Sequence, residues 1–104
     1  MTWLRIDDDF AQHPKVAALD DAAFRLHVSA MCYASRNLTD GFIPAPVLRM
    51  LAWRSPDPEG DAAELVQVGL WDAEPNGWSI HDYLEYNPSA EQIKAEFETY
   101  KSLV

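Results

Sequence analysis

The hydrophobic pattern of residues 61–86 predicts a short helix followed by a β-hairpin. Apolar residues recur with helical spacing at its start, at Ala62, Leu65, Val66 and Val68. Gly69 follows them where a helix commonly ends on a left-handed residue. Two short strands then flank a tight turn over Glu74–Gly77, in which Asn76 and Gly77 both tolerate positive φ.

The pattern before this stretch predicts three helices and a strand. Asp20 or Asp21 is suited to cap a long helix over about Ala22–Asn37, and apolar residues on two sides of that helix favour a central position. The other predicted elements are a short helix from Pro14 to Leu19, a strand at Gly41–Pro44 and a helix at Val47–Trp53. A proline-punctuated linker, residues 55–60, then leads to the helix of the opening stretch.

The end of the chain predicts one more helix. Asn87-Pro88 interrupts the pattern, and Ser89 with Gln92 matches a capping box, so we expect a helix from Ala90 to about Leu103. Its apolar residues recur at i, i+4, i+7 and i+11: Ile93, Phe97, Tyr100 and Val104. The helix is therefore amphipathic.

The central order of predicted elements is helix, strand, helix, helix, strand, turn, strand, which is the order of a winged helix-turn-helix. We predict an α+β fold, mostly α, with a small three-stranded β-sheet. Residues 1–88 form the winged-helix domain, and residues 89–104 form an added C-terminal amphipathic helix.

Length and composition fit one small globular domain: 104 residues, of which 48% are hydrophobic. No apolar run approaches the roughly 18 residues of a membrane span, and Asp7–Asp9 lie where a signal peptide would be apolar. We expect a cytoplasmic protein without a membrane partner. The single cysteine, Cys32, cannot form an internal disulfide, and its apolar neighbours predict a small hydrophobic residue in a core helix.

The net charge of −9 is concentrated in the predicted hairpin unit. Residues 61–88 carry six acidic residues, and no Lys or Arg lies between Arg54 and Lys94. A winged helix that binds DNA needs cations there to neutralise phosphates. Among the positions expected to be exposed on the third helix and the wing, only Gln67 and Asn76 suit a base or a phosphate. The other candidate DNA contacts are Arg25, Arg36, Arg49 and Arg54.

The sequence predicts no catalytic site, cofactor site or metal site. His13, His27, His81 and Cys32 lack the close spacing of zinc ligands. No nucleophile motif or glycine-rich phosphate loop is present. Asp7–Asp9 are interpreted as turn and cap residues.

The aromatic residues predict a protein interface, because a domain this small cannot fully bury four tryptophans. Candidate interface residues are Trp71, Trp78, Tyr83 and Tyr86 around the hairpin, and Ile93, Phe97 and Tyr100 on the last helix. The partner is another protein or a second copy of the chain.

Three stretches carry a resemblance to a known class of module: WLRIDDDFAQHPKVAAL, DAAFRLHVSAMCYASRNLTDGFIP and LVQVGLWDAEPNGWSIHDYLEYNPS. The most specific piece is Gly69-Leu70-Trp71 followed by IHDYLEY. These stretches resemble small winged-helix modules encoded by bacteriophages and prophages, found at the start of replication-initiation or replisome-organiser proteins, broadly like the DnaD N-terminal domain. The resemblance implies a DNA-transaction setting, often with self-association, and does not imply an enzyme.

Modules of that pattern continue the last helix into a long Lys/Arg-rich segment, whereas this sequence ends at Lys101-Ser102-Leu103-Val104. We therefore expect any DNA binding to be weak.

Three hypotheses follow. The first is a winged-helix protein of DNA replication or transcription control that acts mainly through protein contact or self-association, with weak or assisted DNA binding. The second is a sequence-specific dimeric DNA-binding regulator that gathers its arginines into one patch. The third is a small inhibitor of a host nucleic-acid-binding protein, whose acidic face includes Asp61, Glu64, Asp72 and Glu74.

Overall fold

The computed structural model describes residues 3–102, apart from the side chains of Tyr86 and Ser102. The fold is α+β and mostly helical, with a small antiparallel sheet. Its helices are α1 (Pro14–Ala17), α2 (Asp21–Asn37), α3 (Leu48–Leu51), α4 (Pro58–Gln67), α5 (Tyr83–Tyr86) and α6 (Ala90–Ser102). Its strands are β1 (Phe42–Pro44), β2 (Trp71–Glu74) and β3 (Gly77–Ile80). Within residues 3–102, no helix has the length and apolar character needed to cross a membrane.

α2 is the central helix, and it packs against β1, α3 and α4. Asp20 caps it, as the sequence predicts, because its carboxylate accepts a hydrogen bond from the Ala23 amide at 3.0 Å. The buried residues of α2 are Ala23, Leu26, His27, Ala30, Met31, Ala34 and Ser35. Cys32, which was predicted to lie in the core, is exposed because it falls outside this buried stripe.

The sheet has the strand order β1–β3–β2, and both strand pairs are antiparallel. Successive residues of a strand point to opposite faces. Ile43, Trp71 and Ile80 lie in rows of the register that share one face, and all three are buried. The alternate rows, which include Asp72 and Ser79, form the outer face. The inner face therefore closes the core over α2.

α4 begins at Pro58, three residues before the predicted start. Asp57 is its N-cap, and the Asp57 carboxylate accepts a hydrogen bond from the Gly60 amide at 3.1 Å. Pro58 occupies the first turn, where its missing N–H costs nothing. Part of the predicted linker is therefore helical.

α4 ends in a Schellman motif at Gly69, as the pattern predicts. The Leu70 amide donates to the Leu65 carbonyl and the Gly69 amide donates to the Val66 carbonyl, both at 3.0 Å. Gly69 has φ of +85°. The motif reverses the chain from α4 directly into β2.

The predicted hairpin is present, but its turn differs from the prediction. Pro75 and Asn76 are the two residues between the strands, and Asn76 is not among the described residues with positive φ. Proline fixes φ at about −65°, so a turn that needs two positive φ angles is excluded. Gly77 is needed for a different reason: a Cβ there would collide with the Ile43 carbonyl of β1.

One predicted helix is shorter in the structure, and one helix was not predicted. The helix predicted at Val47–Trp53 covers only Leu48–Leu51, preceded by a 3-10 turn at Ala45–Val47. Ala52 leaves helical geometry, with ψ of +36°. After β3 the chain forms the single turn of α5, which the pattern did not predict.

α6 begins as predicted. The Ser89 amide donates to Gln92 Oε1 at 2.8 Å, and the Gln92 amide donates to Ser89 Oγ at 3.1 Å, which completes the capping box. Every residue from Lys94 to Lys101 is exposed. The molecule measures 48 × 30 × 23 Å, and its radius of gyration of 14.6 Å exceeds the roughly 13 Å of a compact domain this long. α6 therefore projects from the body.

Candidate protein-contact and DNA-contact surfaces

The most exposed apolar side chains of α6 form a stripe along one side of the projecting helix. Phe97 is 58% exposed and Tyr100 is 67% exposed, while Ile93 is half-buried nearer the body. The Lys101 ammonium lies 5.3 Å from the centre of the Phe97 ring. Val104, which the sequence places on the same stripe, lies outside the described residues. We call Ile93, Phe97 and Tyr100 the α6 stripe.

Two of the four hairpin aromatics lie in the core and not on the predicted contact surface. Trp71 is 1% exposed and Tyr83 is 7% exposed, and both belong to the hydrophobic core. Trp71 points from the inner face of the sheet into this core. Burial raises the pKa of the Tyr83 phenol. Trp78 is half-buried against Trp71, with ring centres 5.9 Å apart. The side chain of Tyr86 lies outside the described part of the chain.

The sequence analysis missed a buried polar pair between Trp71 and His27. The Trp71 Nε1–H donates a hydrogen bond to His27 Nδ1 at 3.0 Å. His27 is only 3% exposed, and burial lowers the pKa of its imidazole to about 4. The pair satisfies the indole N–H inside the core. The only available signal was its position, since His27 follows the core residue Leu26.

Two acidic residues of α4 form hydrogen bonds within the fold. Asp61, predicted to be exposed, is buried and accepts a hydrogen bond from the Ser55 hydroxyl. Glu64 Oε2 accepts a hydrogen bond from the Asp20 amide at 2.9 Å, which links α4 to the start of α2. Two carboxylates of the proposed acidic face are therefore committed to internal contacts.

The outward side of α4 offers no cation. Its exposed residues include Glu59, Ala63 and Gln67. Glu59 is paired with Arg49 of α3 at 3.1 Å. Gln67 lies in the last turn, whereas recognition helices present their N-terminal residues to bases. Asn76 is exposed in the hairpin turn.

The four candidate arginines are all exposed: two lie on α2, one on α3 and one after α3. Arg25 and Arg36 lie on α2, and their spacing of eleven residues places them on the same side, about 16 Å apart along the axis. Arg54 follows α3 and lies 5.5 Å from the centre of the Trp53 ring. Glu59 offsets the charge of Arg49, whereas Arg54 keeps its full charge over the neutral Trp53 ring.

The outer face of the sheet is acidic. His81 lies between two carboxylates: Nδ1 is 3.1 Å from Asp72 and Nε2 is 3.4 Å from Asp82. The Ser79 hydroxyl donates to Glu74 at 2.9 Å. This face would repel a phosphate backbone.

One acidic cluster has the geometry of possible metal ligands. Carboxylate oxygens of Asp7, Asp8 and Asp9 lie within 4.8 Å of one another, and all three residues are exposed. Asp7 also has a turn role, because its carboxylate accepts a hydrogen bond from the Asp9 amide at 2.8 Å. The predicted turn role of Asp7 is confirmed.

Comparison with protein-family models, curated proteins and solved structures gives no match to this chain.

Proposed function

We propose that this chain is a winged-helix module of a DNA-transaction system that acts mainly through protein contact, with DNA binding weak or assisted by a partner. The observation that carries the proposal is the exposed α6 stripe on a helix that projects from the body. The element order and the strand order β1–β3–β2 support the winged-helix assignment. The acidic sheet face and the cation-free side of α4 support weak DNA binding.

The spacing of the α6 stripe fits pairing with α6 of a second copy. Ala90 and Phe97 fall at a positions of a heptad, and Ile93 and Tyr100 fall at d positions. Two such helices bury both stripes against each other. The second copy is therefore the partner we propose.

The charges beside the stripe favour a parallel pair. Lys94 and Lys101 fall at e positions and Glu96 falls at a g position. In a parallel pair, Glu96 of one copy faces Lys101 of the second copy. In an antiparallel pair the e positions face each other, so the lysines repel. Because the seam covers only two heptads, we expect a dissociation constant of about 10 µM or weaker.

A matched pair of substitutions tests the contact. Phe97→Glu places a charge on the stripe, while Ala95→Glu adds the same charge on the opposite side of α6. Sedimentation velocity of the full chain should show concentration-dependent dimerisation for the unsubstituted chain and for Ala95→Glu, and loss of the dimer for Phe97→Glu. Identical sedimentation of all three proteins would sink the proposal.

DNA binding is tested separately by electrophoretic mobility shift. The full chain should bind duplex DNA only at low salt and without sequence preference, because the outer face of the sheet is acidic and the outward side of α4 carries no cation. Tight, sequence-specific binding at about 150 mM salt by the isolated chain would contradict the weak-contact claim.

The two alternative hypotheses receive less support. A sequence-specific regulator needs free cations near α4, and Arg49 is already paired with Glu59. An acidic nucleic-acid mimic needs exposed carboxylates, and Asp61 is buried while Glu64 bonds to the start of α2.

A further inference from the structure

We propose that the cavity beneath the N-terminal segment binds a small, uncharged, planar molecule that carries a hydrogen-bond acceptor, with the imidazole of His27 as the donor. The cavity has a volume of about 370 Å³ and lies between residues 5–16, α2 and the end of β3. An apolar cavity of about 150 Å³ already holds benzene. This one therefore has room for a molecule of one or two rings. The site is distinct from the α6 stripe.

His27 supplies the donor. It lines the cavity, and its Nδ1 is occupied by the Trp71 indole hydrogen at 3.0 Å. Because Nδ1 is the acceptor, the neutral ring carries its proton on Nε2. Nε2 has no hydrogen-bond partner among the described residues. Nε2 is not among the buried side-chain atoms that lack a partner, so it keeps access to water, and a ligand acceptor would take the place of that water.

The walls around this donor favour a flat apolar ligand. The apolar side chains that line the cavity are Ile6, Phe10, Val16, Met31, Leu70 and Ile80. The Phe10 ring stacks on His27, with centres 5.8 Å apart and an interplanar angle of 19°. A further planar ring extends this stacked arrangement, and the Met31 thioether adds a favourable contact with an aromatic edge.

The charged lining residues argue against a charged ligand. Asp7, Asp9 and Asp82 would repel an anion, in a chain whose net charge is −9. Arg5 and Lys15 offset part of the attraction of these carboxylates for a cation, and the Nε2–H of His27 disfavours a cation at the donor itself. An uncharged carbonyl or ring nitrogen meets neither penalty.

Three probes of the same shape test the site: benzamide, benzoate and benzamidinium, which are neutral, anionic and cationic. Each is titrated into the ¹⁵N-labelled full chain while the His27 Nε2 and Trp71 indole N–H resonances are followed by NMR. Benzamide should shift both resonances with a dissociation constant of about 1 mM, and the two charged probes should bind at least about tenfold more weakly. Equal binding of the three probes, or no shift at about 20 mM benzamide, would overturn the proposal.

A variant tests the role of His27. His27→Phe keeps a ring in the wall but removes the donor, so benzamide affinity should fall at least about tenfold in a variant shown to be folded by circular dichroism. Unchanged benzamide affinity would show that His27 is not the donor. If His27→Phe does not fold, the ranking of the three probes on the unsubstituted chain decides the proposal.

Discussion

The Trp71–His27 hydrogen bond joins the hairpin to the central helix, and it requires a neutral imidazole because a protonated ring has no acceptor to offer. Burial keeps the ring in that state by lowering its pKa to about 4. A single proton therefore opposes both the burial of His27 and its hydrogen bond to Trp71.

This contact gives the stability of the protein a defined pH dependence. Between about pH 6.5 and pH 4 the unfolded chain binds a proton at His27 that the folded chain excludes, so stability present above pH 6.5 is lost as the pH falls. The difference between the ordinary pKa and the lowered pKa of His27 corresponds to about 3 kcal/mol of unfolding free energy. In His27→Gln, the loss of unfolding free energy between pH 7 and pH 4, measured by urea denaturation, should be smaller by up to that amount. An unchanged loss would contradict the assignment.

Gly77 provides a second test at the residue scale. Gly77→Ala should cost about 2 kcal/mol or more of unfolding free energy, because the added methyl group displaces β1 from β3. The neighbouring substitution Asn76→Ala changes an exposed turn residue and should cost within about 0.5 kcal/mol. Equal costs in thermal denaturation would show that the close approach does not constrain the sheet.

Some residues could not be placed from the sequence, because their environment is set by distant parts of the chain. His27 and Trp71 are 44 positions apart, so no local pattern shows that they meet. In the sequence Asp61 is typical of an exposed acidic residue, and its hydrogen bond from the Ser55 hydroxyl is seen only in the structure. The prediction of an interface role for Trp71 and Tyr83 was wrong because the sequence alone does not show which aromatic residues a small core accommodates.

At the scale of elements, local signals predicted more. The caps at Asp20 and Ser89 and the stop at Gly69 depend on residues within one turn, and all three are found in the structure. The predicted start of α4 was wrong because a proline fits both a linker and a first helical turn. The predicted length of α3 was wrong because the chain is 3-10 before Leu48 and leaves helical geometry at Ala52.

The two caps should have different consequences when removed. Asp20→Ala removes the cap of the central helix, so it should lower the global unfolding free energy by about 1 kcal/mol. Ser89→Ala removes the cap of a projecting helix, so it should leave the global transition nearly unchanged and lower amide protection in α6 alone. Hydrogen exchange separates the two effects, and a global loss in Ser89→Ala would show that α6 is part of the cooperative core.

At the scale of the whole molecule, the proposed fold suggests DNA as a partner, whereas the surface charge disfavours it. The fold we propose is that of a DNA-binding module, yet the outer face of the sheet carries Asp72 and Glu74, and Asp82 lies beside His81 at its edge. The exposed apolar side chains of α6 lie on a separate element that projects from the body. The sequence predicted both the charge and the stripe, but the projection of α6 is a tertiary feature that only the structure supplies.

The parallel pairing of two α6 helices is tested most directly by exchanging its charges. Glu96→Lys and Lys101→Glu are made singly and together, and the mass of the full chain is followed by sedimentation equilibrium. We predict that the unsubstituted mass rises above the 11.8 kDa monomer with concentration, that each single substitution weakens the dimer about fivefold, and that the double substitution restores it. A mass that stays monomeric at every concentration, or a double variant weaker than both single variants, would contradict the account.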